Sequence, residues 1–145
     1  MEFELLNLKK IVETILPLIQ SDATISDKYI HIELEEVSEI PLDKKEMHQL
    51  IINLVRNGLE AITPDGTVKI RTFVENEEIV LAVQDDGKGI VPEVLGKIGT
   101  PFFTTKDYGT GLGLAVCYSI ADRHNAKIVI ETGTAGTTFF VRFKK

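Results

Sequence analysis

Two asparagines stand four residues apart in Asn53-Leu54-Val55-Arg56-Asn57. On a helix that spacing puts both carboxamides on one face. An amide carbonyl is a hard oxygen donor, suited to Mg²⁺, which keeps several waters and takes its other ligands from carboxylates and phosphates. The same amides can also do no more than cap or bridge nearby backbone. Further on, the apolar run from Ile79 ends in Asp85-Asp86-Gly87-Lys88-Gly89. A carboxylate at the end of a buried strand can accept a hydrogen bond from the exocyclic amine of adenine, and a wrong base would leave it unpaired. An Asp ahead of Gly can equally bond only its own turn. Gly109-Thr110-Gly111-Leu112-Gly113-Leu114 then opens an apolar stretch. The start of a helix offers free N–H groups and partial positive charge, which suit phosphate. This is neither the dinucleotide fingerprint, because a loop rather than a strand precedes it, nor a Walker loop, because no Lys-Ser or Lys-Thr follows the last glycine. Between the glycine motifs lies Pro101-Phe102-Phe103-Thr104-Thr105-Lys106. Its two Phe pack in the core or dock onto something, and Lys106 can reach a terminal phosphate as a point charge. Each motif alone is weak. Together they supply a metal ligand, a base-reading acid, a basic loop and phosphate-binding amides.

The elements that must position these groups follow from hydrophobic period. Residues 7–20 carry Leu8, Ile11, Val12, Ile15, Leu16 and Ile19, the stripe of a core-facing helix. Residues 29–35 alternate Ile30, Ile32 and Leu34 with His31, Glu33 and Glu35, a half-exposed strand. Residues 43–62 form the clearest helix, with Asp43 as N-cap and Glu46 three residues on. Met47, Leu50, Ile51, Leu54, Val55, Leu59 and Ile62 make its apolar face, and Asn53, Asn57, Glu60 and Glu46 share the adjoining flank. Pro64-Asp65-Gly66 is a turn, and residues 67–74 and 78–85 read as a hairpin. Pro92 starts a short helix to Ile98, and residues 99–110, without regular period, read as a mobile loop. Residues 111–124 form a nearly all-apolar helix, which predicts burial. Strands at 127–131 and 137–143, joined through Gly133 and Gly136, finish the chain. The order αβαββ(α)αββ predicts an α/β sandwich of α+β type: a mixed, mostly antiparallel sheet of about five strands with helices on one face.

The chain has 145 residues, which suits one domain. With 43% hydrophobic and 26% charged residues its composition is that of ordinary soluble domains. No apolar run approaches the roughly 20 residues that span a bilayer. Glu2 and Glu4 stand where the basic region of a signal peptide would be. A net charge of −6 argues against nonspecific binding of nucleic acid or anionic lipid. Lys97 and Lys106, within the glycine-rich stretch, are the local provision for a polyanion. Cys117 is the only cysteine, so no internal disulfide forms, and it reads as a buried hydrophobe in a reducing compartment.

The four motifs in this order, with Gly136-Thr137-Thr138-Phe139 near the end, resemble the catalytic ATP-binding domain of sensor histidine kinases in the Bergerat-fold (GHKL) superfamily. The resemblance covers essentially the whole chain. The stretch Thr100–Lys106 resembles the subgroup of nitrogen-regulation and Bacillus sporulation kinases, and Gln49–Ala61 and Gly109–Ser119 are most similar to the sporulation kinases. What the resemblance implies is ATP as ligand and Mg²⁺ as cofactor. It makes Asn57 the Mg²⁺ ligand and Asn53 its partner near the phosphates, catalytic together with Lys106. It makes Asp85 the adenine-reading acid, with Gly87 and Gly89 shaping the pocket floor and Ile90 beside them, and places Thr137 near the adenine and its bound water. Gly109, Thr110, Gly111, Leu112, Gly113 and Leu114 become the phosphate cradle, and Phe102, Phe103, Thr104, Thr105 and Lys106 the lid. Two positions depart from the family pattern. Gly58 stands where Ala is more frequent, which weakens the helix by about 1 kcal/mol and leaves room for a close approach. Glu60 stands where many members carry Lys or Arg, which leaves one phosphate contact to Arg56 or Lys106.

Relatives of this fold that hydrolyse ATP, such as gyrase-type topoisomerases, mismatch-repair ATPases and heat-shock chaperones, carry a Glu four residues before the metal Asn. Here that residue is Asn53, which cannot take a proton from water as a carboxylate does. The same difference separates the chain from the anti-sigma serine kinases. A nucleotide-free interaction module would have lost the metal Asn or the glycine box, and both are present. The phosphoacceptor of sensor kinases is a His followed by an acid, whereas here His31 precedes Ile32, His48 precedes Gln49 and His124 precedes Asn125. These three read as a solvent-side strand residue, a helix-surface residue and a helix C-terminal residue favourable to the dipole. The expectation is therefore a single catalytic domain, residues 1–145, of a longer two-component sensor. It would transfer the γ-phosphate of ATP to a histidine on a separate dimerisation domain, with a response regulator downstream and no nucleic-acid partner. The full-length protein would be a homodimer, open to membrane anchoring, with this domain in the cytoplasm. The alternative is a GHKL-type ATPase that hydrolyses ATP for conformational work.

Overall fold

The computed structural model describes residues 2–87, 112–133 and 135–144. In chain order its elements are β1 (Glu4–Leu6), α1 (Leu8–Ile25), β2 (Tyr29–Leu34), β3 (Ile40–Leu42), α2 (Lys44–Ala61), β4 (Thr67–Glu75), β5 (Glu78–Asp85), α3 (Leu112–Arg123), β6 (Lys127–Gly133) and β7 (Gly136–Lys144). The helix expected at 92–98 and the loop expected at 99–110 lie outside the described residues.

Five strands form one mixed sheet in the order β2-β4-β5-β7-β6, with β2 parallel to β4 and the other pairs antiparallel. Both residues linking β4 to β5, Asn76 and Glu77, have positive φ, the geometry of a two-residue hairpin turn whose twist matches the strands. Side chains alternate along each strand. One face carries Val68 and Ile70 of β4, Ile79, Leu81 and Val83 of β5, and Phe139, Val141 and Phe143 of β7, all buried. Against it α2 lays Met47, Leu50, Ile51, Leu54, Val55 and Leu59, as its apolar period requires. Each fully buried side chain of this size contributes roughly 1.5–3 kcal/mol. The sheet and its helix-bearing face match the expectation from sequence.

Three local features differ from that expectation. Strands β1 and β3 pair antiparallel as a separate ribbon, Glu4 opposite Leu42 and Leu6 opposite Ile40; three residues are too few to show a period. Helix α1 runs on to Ile25, because Ala23 continues the stripe of Ile15 and Ile19, while Pro17 sits on the exposed side and spares the packed face. Helix α3 is buried on one face only, through Cys117, Ile120 and Ala121, with Leu114 and Val116 half-buried.

The start of α2 and the end of α3 are tied together. Asp43 caps α2, its Oδ1 accepting from the Glu46 N–H at 3.0 Å. The Arg123 guanidinium grips the Glu46 carboxylate, with Nε donating to Oε1 at 2.8 Å. His124 bridges the two ends: its Nε2 accepts from the Asp43 N–H at 3.1 Å, so Nδ1 carries the proton and donates to the Ile120 carbonyl at 2.8 Å. Phe3 meets this ring edge-on at 4.9 Å. His124 thus stands at the C-terminal end of α3, as expected, and its ring also ties that end to the start of α2. His48 departs from the helix-surface reading: it is half-buried, and burial, with Lys44 nearby, pushes its pKa down.

The cap has a pH signature. The Asp43 carboxyl is held below its ordinary pKa chiefly by the Glu46 N–H, with burial opposing and the Glu2 N–H, at 2.9 Å, adding to the effect. A carboxylate whose folded pKa is depressed contributes stability above its unfolded pKa of about 3.9 and loses it as pH falls through the folded value. Asp43→Asn therefore lowers the melting temperature at pH 7 and flattens its fall between pH 6 and pH 3. Thermal melts across that range check this, and an unchanged slope would contradict it.

Candidate functional site

Asp85 ends the central strand β5 and is only 4% exposed. Its Oδ1 accepts from the Gly87 N–H at 2.9 Å, which orients the carboxyl group. Val68 of β4 and Thr137 of β7 stand opposite it on either side. Thr137 is buried as well, its hydroxyl 2.8 Å from that of Thr132 on β6. Above lies α2 at Gly58, where a Cβ would sit 3.1 Å from Val68 Cγ2 and 3.6 Å from Asp85 Cβ. The close approach foreseen at Gly58 is thus that of the sheet itself, and the missing side chain brings α2 down onto Asp85. From the β7 side Gly136 closes in with φ +135°, a conformation L side chains avoid; a Cβ there would meet the Asp85 carbonyl oxygen at 2.0 Å.

Asn57 immediately precedes Gly58 at this contact. Asn53 and Asn57 are half-buried on α2. Asn53 lies on the flank turned to α3, its Oδ1 accepting from Gln49 Nε2 at 2.9 Å. It also hydrogen-bonds Cys117 on α3, whose thiol donates to the Leu50 carbonyl at 3.8 Å. Burial pushes the Cys117 thiol up to about 12, and the bond from Asn53 offsets only part of this, so the thiol is unreactive as the sequence suggested. Leu112 and Gly113 enter the first turn of α3 and Leu114 follows, half-buried. Gly89, Ile90, Phe102, Phe103, Thr104, Thr105, Lys106, Gly109, Thr110 and Gly111 lie outside the described residues.

Charged groups around the site are paired. Arg56 pairs with Asp22 of α1, Nε to Oδ2 at 2.9 Å. Glu46 is held by Arg123, which keeps its carboxyl below the usual range. Sequence reasoning missed Lys28, whose Nζ donates to the Leu59 carbonyl at 2.7 Å and sets a positive charge on the last turn of α2, where the helix dipole favours one. No local pattern announces that contact. It also missed Gln49, although its spacing of four from Asn53 is a usable signal. Among the described residues no group of three or more His, Cys, Asp and Glu could hold a metal. An amide oxygen as protein donor fits a cation ligated mainly by phosphate and water.

The family described as histidine kinase-, DNA gyrase B-, and HSP90-like ATPase matches residues 42–145. Sporulation kinase A of Bacillus subtilis (strain 168) is 36% identical over 144 residues, 98% of this chain and 24% of that protein. The nucleotide-free catalytic domain of histidine kinase ThkA superposes with a TM-score of 0.90 at 32% identity, covering 100% of this chain and 97% of that one. Histidine kinase ThkA in complex with the response regulator protein TrrA gives 0.82 at 29% identity, over 97% of this chain and 41% of that one. The chain spans 24% and 31% of the length of sporulation kinases A and C.

The enclosure of Asp85 predicts unequal glycines in one hairpin. Gly136→Ala drives a methyl into the Asp85 carbonyl and destabilises the chain by roughly 2–4 kcal/mol. Gly133→Ala, with nothing within 4 Å of its Cβ position, stays within about 0.5 kcal/mol of the parent. Urea denaturation of both variants tests this, and equal midpoints would contradict it.

Proposed function

The chain belongs to the family of histidine kinase-, DNA gyrase B- and HSP90-like ATPases, and from that premise we propose that it is the ATP-binding catalytic domain of a two-component sensor histidine kinase of the sporulation-kinase type. The observation that carries the reading is the juxtaposition at Gly58: α2 touches the sheet beside the buried Asp85 and so sets its Asn53–Asn57 flank between that acid and α3. Adenine at one end and phosphates at the other fit that spacing of chemistry.

In this reading Asp85, oriented by the Gly87 N–H, accepts from the 6-amino group of adenine, and Thr137 lines the base pocket. Asn53, Asn57 and the start of α3 face the phosphates, and Lys106 offers them a positive charge. The Asn57 amide oxygen, with the phosphates, would hold Mg²⁺, which would supply charge neutralisation. An imidazole nitrogen of the partner domain attacks the γ-phosphorus. The N–P bond forms, the bond to the β–γ bridging oxygen breaks, ADP leaves, and the ring releases its proton to solvent. What the chain contributes is positioning and charge, the usual means of phosphoryl transfer. Hydrolysis is disfavoured because Asn53 offers no carboxylate to water and Glu46 is held by Arg123.

The 145 residues act as one domain of a longer chain, whose dimerisation, phosphoacceptor and sensor parts lie elsewhere. The acceptor histidine and a response regulator are its macromolecular partners, a reading supported by the ThkA–TrrA complex. No helix among the described residues is long and apolar enough to cross a membrane. In the full-length homodimer, membrane-anchored or not, the domain works on the cytoplasmic side.

Labelled ATP tests the proposal. The domain alone yields no stable phosphoprotein, and adding the histidine-bearing helix pair of its full-length protein yields acid-labile phosphohistidine on that pair. Asn57→Ala abolishes the transfer and leaves the melting temperature of the nucleotide-free domain unchanged. ATP turnover by the domain alone above about 1 per second would instead establish a hydrolase.

A further inference from the structure

We infer that Lys28 is a positioning residue for the base-reading acid: by holding the last turn of α2 it fixes the direction in which the Asp85 carboxyl faces a bound nucleotide. The inference rests on the reading that Asp85 accepts from the 6-amino group of adenine. The Gly87 N–H, 2.9 Å from Oδ1, orients that carboxyl. Gly87 in turn lies against the end of α2: a Cβ there would sit 2.5 Å from the Ala61 carbonyl oxygen and 3.0 Å from Asp85 Oδ1. Earlier in the same turn of helix Gly58 packs over the acid, its Cβ position 3.6 Å from Asp85 Cβ. The helical turn from Gly58 to Ala61 is thus the platform on which the segment Asp85–Gly87 rests.

That platform has no cap of its own. The last four carbonyls of a helix lack partners within it, and a left-handed glycine or a basic residue near the end commonly answers them. Helix α2 has neither: Ile62, just past it, is extended with φ −111° and ψ 159°, and the last turn holds no basic residue. The bond comes instead from 31 residues earlier in the chain, where Lys28 Nζ donates to the Leu59 carbonyl at 2.7 Å. The segment that delivers this ammonium is itself fastened on both sides. The Lys28 N–H donates to the Ala23 carbonyl of α1 at 2.9 Å. The Asp27 carbonyl accepts from the Asp65 N–H at 2.7 Å, and the Tyr29 N–H donates to the Gly66 carbonyl at 2.9 Å, both in the turn that leaves α2. Leu59 and Ile62 bury their side chains here, but apolar contact is non-directional. The charge-assisted bond from Lys28 sets how the carbonyls of this turn lie, and Gly87 packs against one of them.

Lys28→Met keeps most of the side chain's length and removes the donor. The measurement is calorimetric titration of the 145-residue chain with ATP and with GTP, both with Mg²⁺, well below the melting temperature. Removing a positive charge weakens both nucleotides alike, since their phosphates are the same, so the ratio of the two affinities reads the base alone. The preference for ATP is expected to fall about three- to tenfold in Lys28→Met, the weight of one hydrogen bond. Lys28→Cys should lose the preference in the same way. Alkylating the new thiol with bromoethylamine rebuilds the ammonium on a chain of lysine length and should restore it, while Cys117, being buried, is spared. A lower melting temperature with an unchanged ratio makes Lys28 a support of the fold only and overturns the inference, as does a ratio that alkylation leaves low. A parent chain that binds ATP and GTP equally overturns the base-reading role of Asp85, and this inference with it.

Discussion

A carboxyl group buried at the end of the central strand is the constraint on which the rest of the structure depends. Asp85 is 4% exposed, and a buried carboxyl group without partners costs several kcal/mol. The surrounding chain answers with the Gly87 N–H and with three close approaches. Gly58 lets α2 descend onto the strand end, Gly136 lets β7 press on its carbonyl, and Val68 closes the β4 side. A polar group this enclosed discriminates strongly among ligands, because a mismatched one strands the carboxyl without a partner.

Helix α2 joins that acid to the rest of the site. Its core face supplies stability, while its flanks are fixed by contacts of a different kind. Glu46 to Arg123 and Asn53 to Cys117 hold α3; Arg56 to Asp22 and Lys28 to the Leu59 carbonyl hold α1 and the segment after it. The exposed ion pairs among these are worth only about 0–1 kcal/mol each. Their value is geometric: they fix the rotation of α2 about its own axis, and so the direction in which Asn53 and Asn57 look. The buried thiol belongs to this positioning system, since at a pKa of about 12 it has no chemistry of its own to offer.

Much of this was legible in the sequence where local pattern decides. The alternation in β4 and β5, the Asp43 cap, the apolar period of α2 and the shared flank of Asn53 and Asn57 all follow from spacing, and the hairpins β4–β5 and β6–β7 follow from the pairing of successive strands. The motifs likewise marked Asp85 and Thr137, which the register places opposite each other. What escaped depends on partners distant in sequence. The His124 ring is held by an N–H that precedes it by 81 residues and donates to its Nε2. Arg56 is committed to Asp22, on another helix. The ribbon of β1 and β3 is too short to carry a period, and α3 is half-covered because what lies above a helix is not written in its own residues.

The central claim, that Asp85 reads the base of a bound nucleotide, is tested most directly by calorimetric titration of the chain with ATP and with GTP in the presence of Mg²⁺. The two share phosphates and sugar, but GTP puts a carbonyl oxygen where ATP has its 6-amino group, so an acceptor would face the Asp85 carboxylate. ATP should bind at least about tenfold more tightly, the discrimination expected when a buried polar group is left unpaired. Equal affinity for the two nucleotides would contradict it.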